Sequence, residues 1–160
     1  MRSVLFRSSG AAAVAGGALR IAEPLLRRAL TASSLSFAYF AIDVLLLFGI
    51  IGWYGWRADK LGIAGLAGFA TGVAGILIIR SASLFGAAGY QIGAAALLLG
   101  LAIMNTPALI WREGPVAPPS LWLASFVCGL ASLVFAPLGV VAGVLFGLGY
   151  VLCGLALLRA

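Results

Sequence analysis

Apolar stretches of helical length, separated by short clusters of charge and proline, fill almost the whole chain. The pattern breaks at Arg57 to Lys60, Arg80 to Ser83, Arg112 to Ser120 and Pro137, and these cuts predict helices at about 35–56, 61–79, 84–111, 121–136 and 138–158. No charged residue occurs from Leu121 to Leu158. As one helix that run would extend about 57 Å against a hydrocarbon core about 30 Å thick, so it must reverse once. Pro137, followed by Gly139, is the expected reversal, because proline removes a backbone donor and clashes with the preceding turn. Pro107 is expected to kink or stop the 84–111 helix for the same reason.

Residues 10–26 carry Arg20 and Glu23 within a Gly-, Ala- and Leu-rich stretch that ends near Pro24. They read either as a sixth spanning helix or as an amphipathic segment lying in the membrane interface. Arg2 and Arg7 precede Ala13-Val14-Ala15 in the manner of a signal peptide, but the intervening stretch is too short and too rich in Ser, Gly and Ala, so the segment is expected to be retained. With six spans and both termini inside, Arg2, Arg7, Arg57, Lys60, Arg112 and Arg159 face the cytoplasm against Arg27, Arg28 and Arg80 outside, a stronger positive-inside bias than five spans give.

Composition strengthens this picture. Hydrophobic residues make up 64% of the 160 and charged residues 9%, with a mean hydropathy of +1.19. About a quarter of a typical soluble domain is charged, so these few charges could not clothe a water-soluble particle of this size. The net charge of +6 comes from arginines at the ends of apolar segments, with no basic stripe interleaved with aromatics, so no nucleic-acid partner is expected. Cys128 and Cys153 fall inside apolar helices and read as small packing residues.

Three groups of residues carry the remaining signal. Gly62, Gly65, Gly68, Gly72 and Gly75, and again Gly139, Gly143 and Gly147, recur at three or four residues and form flat helix faces where another backbone can approach closely. Such a glycine zipper serves internal packing or a face for a partner protein, lipid or pigment. Trp53, Tyr54, Trp56, Trp111 and Trp122 flank loops that fall on one side of the membrane and read as interface anchors. Asp43 lies inside an apolar helix, where an ionised group demands a partner. Depth counting from a turn at about Arg27 to Ser34 predicts an Arg20–Asp43 contact, with Glu23 nearer the headgroups and able to meet Arg80. Gln91 and Asn105 are candidates for lining a path on the fourth helix or for interhelical hydrogen bonds.

A shift of 83 residues aligns Gly10-Ala11-Ala12-Ala13 with Gly93-Ala94-Ala95-Ala96, Gly17 with Gly100 and Pro24 with Pro107. A shift of 79 aligns Gly68 with Gly147, Gly75 with Gly154 and Arg80 with Arg159. Chains dominated by Ala, Gly and Leu also align with themselves by chance. If the repeat is real, residues 1–80 and 81–160 form two three-helix halves, inverted relative to each other because each has an odd number of spans.

No histidine is present, the four acidic residues are scattered, and neither cysteine has a basic neighbour. No catalytic set, cofactor or metal site is therefore expected. The sequence predicts an all-α polytopic transmembrane bundle in one domain, of six spans, or five plus an interfacial amino-terminal helix, in the inner (plasma) membrane. The expected function is a non-catalytic accessory or assembly subunit packing against other membrane subunits, or against itself, through its glycine faces. The alternative is a small transporter or channel using Asp43 and Arg20.

Overall fold

The computed structural model describes residues 2–111 and 114–160, with the backbone only for residues 2, 3, 82–85, 87, 108 and 111. Arg112, counted above in the positive-inside balance, lies outside the described residues. Among the described residues all regular structure is helical: α1 (Arg2–Ile21), α2 (Glu23–Ala29), α3 (Ala32–Arg80), α4 (Ala82–Trp111), α5 (Ala117–Ala131) and α6 (Leu138–Leu158). Three of these provide stretches long and apolar enough to cross a membrane: α3, the Ala88–Pro107 stretch of α4, and α6.

The 49 residues of α3 are two helices folded back on each other. Asp43 and Arg80 would be about 55 Å apart on a straight helix, yet their side chains form an ion pair at 2.7 Å. Tyr54 and Phe69 stack with ring centroids 4.6 Å apart. Both pairs are centred between Leu61 and Gly62, and Gly62 has φ 58° and ψ −159°, a conformation essentially reserved for glycine. The expected break at Arg57 to Lys60 is thus corrected. Those residues stay helical, because polar side chains at a helix end can remain in the spiral, and the reversal falls on the residue without a Cβ. Gly62 therefore belongs to the turn and not to the packing stripe.

Two other boundaries move for backbone reasons. Pro107 neither stops nor ends α4, which continues to Trp111; just before it, Asn105 Nδ2 and Thr106 Oγ1 donate to the Leu101 and Ala102 carbonyls at 2.7 and 3.1 Å. α5 begins at Ala117, not at 121, because Pro118 and Pro119 sit in its first turn, where no amide donor is needed. It stops at Ala131, and a series of turns leads to Pro137 at the start of α6. The predicted reversal near Pro137 stands in that place.

α1 is helical from Arg2, well before the expected start at residue 10, because it has two helices to pack on. A methyl group built on Gly10 would lie 2.8 Å from the Gly154 carbonyl oxygen, and one on Gly17 2.5 Å from that of Gly147. On the other side of α1, Gly49 comes as close to Ala13, and Gly52 to Ser9. The second half of α3 meets α4 in the same way. A methyl on Gly75 would lie 2.7 Å from the Gly93 oxygen, and one on Gly68 2.7 Å from that of Gly100. In lipid no hydrophobic force drives helices together, so this backbone proximity, with its dispersion contacts, is what holds them. The glycines that the shifts of 83 and 79 pair in sequence thus make matching contacts: Gly10 with Gly154 and Gly17 with Gly147 in one interface, Gly93 with Gly75 and Gly100 with Gly68 in the other.

Gly68, Gly72, Gly75 and Gly147 are accordingly buried inside the chain, with Gly65 against Leu61 across the turn at Gly62, whereas Gly139 is exposed and Gly143 half-buried. The interface-anchor reading fails for two aromatics. Trp53 and Trp122 are 0% and 1% exposed and meet edge to face at 6.0 Å in the centre of the core. Trp56 is half-buried against the edge of Trp53, and Tyr54 is held by Phe69. The side chain of Trp111 lies outside the described residues. Tyr150 completes the aromatic core, fully buried between Trp122 and Phe146.

Candidate functional site

The charged side chains of α1, α2 and α3 gather at the end of the bundle where α1 finishes and α6 begins. Asp43 enters from α3, about 16 Å along that helix, and its partner Arg80 is the last residue of the same folded helix. The expected Arg20–Asp43 contact is therefore replaced by Asp43–Arg80, since the fold-back at Gly62 lifts Arg80 to the level of Asp43. Glu23, expected to meet Arg80, instead meets Arg20, Arg27 and Tyr39. It lies 3.7 Å from Arg20 and pairs with Arg27 one turn further on. Arg20 stays close enough to Asp43 to add to the field there, and its guanidinium donates to the Tyr90 hydroxyl of α4 at 3.3 Å.

Tyr39 ties α2 to α3 by donating to Glu23 and accepting from Arg27, each at 2.8 Å. Burial of Arg27 works against its cation, but the Tyr39 hydrogen bond and the Glu23 charge outweigh it and raise its pKa above the ordinary guanidinium value. Sequence reasoning missed Arg27, Tyr39 and Tyr90. The spacing of Glu23 and Arg27, four residues apart on one helix face, was the available signal for the first; the tyrosines had none.

Beside this network lies a cleft of about 340 Å³. Arg20, Ile21, Glu23, Pro24 and Arg27 form one wall, Tyr90 of α4 a second, and Ala136, Gly139, Val140, Gly143 and Val144 of α6 and the turn before it the third. Arg20 reaches across to Gly143, where a methyl group would lie 4.0 Å from its nitrogen. The glycines keep that wall thin, and two guanidiniums against one carboxylate leave the cleft positive. A smaller cleft of about 120 Å³ opens among Trp56, Arg57, Lys60, Gly114 and Pro115. Arg57, expected in a loop, is only 4% exposed, with its guanidinium 5.4 Å over the Trp53 ring.

Asn105 and Gln91 lie apart from the charged cleft. Asn105 is fully buried and accepts the Trp53 indole hydrogen bond at 2.8 Å, which joins α3 to α4. Gln91 is exposed on the outside of α4. Cys128 and Cys153 are unbonded to each other, and no group of three His, Cys, Asp or Glu that could hold a metal gathers among the described residues.

No protein-family model, curated protein or solved structure matches the chain.

Proposed function

We propose that this chain is a small multi-pass transporter of the inner (plasma) membrane, with six crossings in two inverted halves and the charged cleft as one mouth of its route. The observation that carries the reading is the repetition of contacts. The first helix of each half packs against the last helix of the other through glycines paired by the sequence shifts. Trp53 and Trp122 add a second support. Tyr54 lies opposite Phe69 in one hairpin and Trp122 packs on Gly149 in the other. The middle helices of the two halves thus meet through Trp53 and Trp122, whose rings touch edge to face. Inverted halves that share an axis in the membrane plane are a recurrent basis for carriers, since either half can adopt the other's arrangement. Asp43 with Arg80, and Arg20 with Glu23 and Arg27, supply charged groups at that mouth.

An accessory subunit is the second reading. Gly139, exposed beside Val140 at the start of α6, is the observation that favours it, but most of the glycine face on which it relied is occupied within the chain.

Reconstitution tests the proposal. Proteoliposomes are expected to take up at least one solute from a panel of radiolabelled inorganic ions, carboxylates and amino acids faster than empty liposomes. Asp43→Asn is expected to abolish that uptake while the protein still elutes as a folded, monodisperse species. A panel-wide leak equal to empty liposomes, together with a stoichiometric partner retained in mild detergent, would favour the accessory subunit.

A further inference from the structure

Resting on the transport reading, we infer that the moving part of this carrier is the hairpin of residues 63–111, which swings on Gly62 and Gly114 and is latched at the charged cleft by Asp43–Arg80 and Arg20–Tyr90. The packing divides the bundle into two units. In the hairpin, the second half of α3 and α4 meet backbone to backbone: methyl groups built on Gly68 and Gly75 would each lie 2.7 Å from a carbonyl oxygen of α4, at Gly100 and Gly93. The first half of α3, with α1, α5 and α6, forms the base. There α1 meets α6 in the same manner, with a methyl on Gly10 2.8 Å from the Gly154 oxygen, and Gly49 and Gly52 seat the first half of α3 on Ala13 and Ser9 of α1. Ser125 Oγ fixes α5 to α6 by donating to the Ala142 carbonyl at 2.8 Å. Among the described glycines, none brings a built methyl within 3 Å of backbone across the line between hairpin and base. Side chains alone join the two units there, and packed side chains can part or slide where interlocked backbones cannot.

Both hinges stand at one end of the hairpin. Gly62 and Gly114 bracket it, with φ 58° and 85°, and a methyl on Gly114 would lie 3.6 Å from the Arg57 side chain, little more than a turn before Gly62. A methyl on Gly62 would meet nothing within 4 Å, so the backbone there can rotate without collision. The Trp53–Asn105 hydrogen bond and the Tyr54–Phe69 stack join hairpin to base in this same half of the bundle and serve as the fulcrum. At the opposite end the joints are polar and part-exposed. Arg80 pairs with Asp43 at 2.7 Å with side chains 34% and 16% exposed, and Arg20 donates to the Tyr90 hydroxyl at 3.3 Å. Arg80 and Tyr90 ride on the hairpin, Asp43 and Arg20 on the base. Tyr90 is also the wall that the hairpin contributes to the 340 Å³ cleft, so releasing the latches widens that mouth. Gly93 lies opposite Gly75, which places Ile92 about 20 Å from the level of Gly62. A swing of about 15° then carries Ile92 about 5 Å.

Double electron–electron resonance between spin-labelled cysteines reads the swing without any solute. The full chain carries Cys128→Ala and Cys153→Ala, and three label pairs are introduced at exposed positions. Val140→Cys with Ile92→Cys spans the mouth, Val4→Cys with Ile63→Cys spans the hinge end, and Leu66→Cys with Leu99→Cys lies within the hairpin. Breaking both latches, by Arg80→Gln with Tyr90→Phe, is expected to lengthen the mouth distance by about 5 Å and to leave the other two within about 1 Å. Tyr90→Phe alone, which changes no charge and spares the ion pair, is expected to add a second population at the longer distance, and it carries the test if the double variant does not fold. An unchanged mouth distance in folded protein, or equal lengthening of all three pairs, overturns the inference. Lengthening at the mouth without uptake of any solute by proteoliposomes would refute transport and leave the hinged hairpin standing. Uptake by a chain whose mouth distance stays fixed in both variants would do the reverse.

Discussion

Gly100→Ala is the sharpest test of how this bundle is held together. In an isolated helix the change is favourable, by about 1 kcal/mol, because alanine loses less backbone entropy than glycine. Here the added methyl would lie 2.6 Å from the Gly68 carbonyl oxygen and closer still to the Gly72 amide, against an ordinary carbon contact of about 3.5–4.0 Å. Both obstacles are backbone, so no rotamer can relieve them, and α4 must move off α3 by an ångström or so. Overpacking of this kind costs about 1–3 kcal/mol, and the rigid partner argues for the upper end. Subtracting the helix-propensity gain leaves a net loss of about 2 kcal/mol. Gly17→Ala, the counterpart at the α1–α6 interface with its methyl 2.5 Å from the Gly147 oxygen, is expected to cost the same within about 0.5 kcal/mol. Gly129→Ala supplies the control. Its methyl would meet nothing within 4 Å, so the helix gain of up to about 1 kcal/mol survives. Equilibrium unfolding in mixed detergent–SDS micelles, followed by tryptophan fluorescence, measures all three. If Gly100→Ala proves as stable as the parent, the close approach of α3 and α4 is wrong, and with it the matched-interface argument.

Gly62→Ala is expected to lose about 1–3 kcal/mol in the same assay although its methyl has open space, since the cost is backbone strain at φ 58°. Asp43→Asn removes the partner of an Arg80 side chain that is 34% exposed, so the loss lies between the values for buried and exposed pairs, about 2 kcal/mol, and neutralising Arg80 as well should recover part of it. A double-mutant cycle showing no coupling would contradict the ion pair. Trp53→Phe leaves the buried Asn105 oxygen without its indole donor and should cost about 1–3 kcal/mol beyond the lost packing. Trp53→Phe/Asn105→Leu should be less destabilising than the sum of the single changes.

The helical, lipid-facing character of this protein was fixed by its residues alone. A chain this poor in charge must satisfy its backbone polar groups locally to live in lipid, and helices do so residue by residue. The reversal near Pro137 followed from length and a missing amide donor, and the glycine spacing identified faces for close approach. The partners of those faces came from tertiary structure. Gly68 and Gly147 look alike in sequence, yet one meets Gly100 and the other Gly17, because pairing depends on which helices the turns bring side by side. The same holds for charge. Depth along a helix could be counted, but the fold-back at Gly62 decided that Asp43 meets Arg80 and left Arg20 beside Glu23 and Tyr90. Trp53 and Trp122 read as anchors by position and are core by contact, since whether an aromatic near a loop faces lipid or its neighbour depends on the helix's rotation within the bundle, and nothing local to the chain sets that angle.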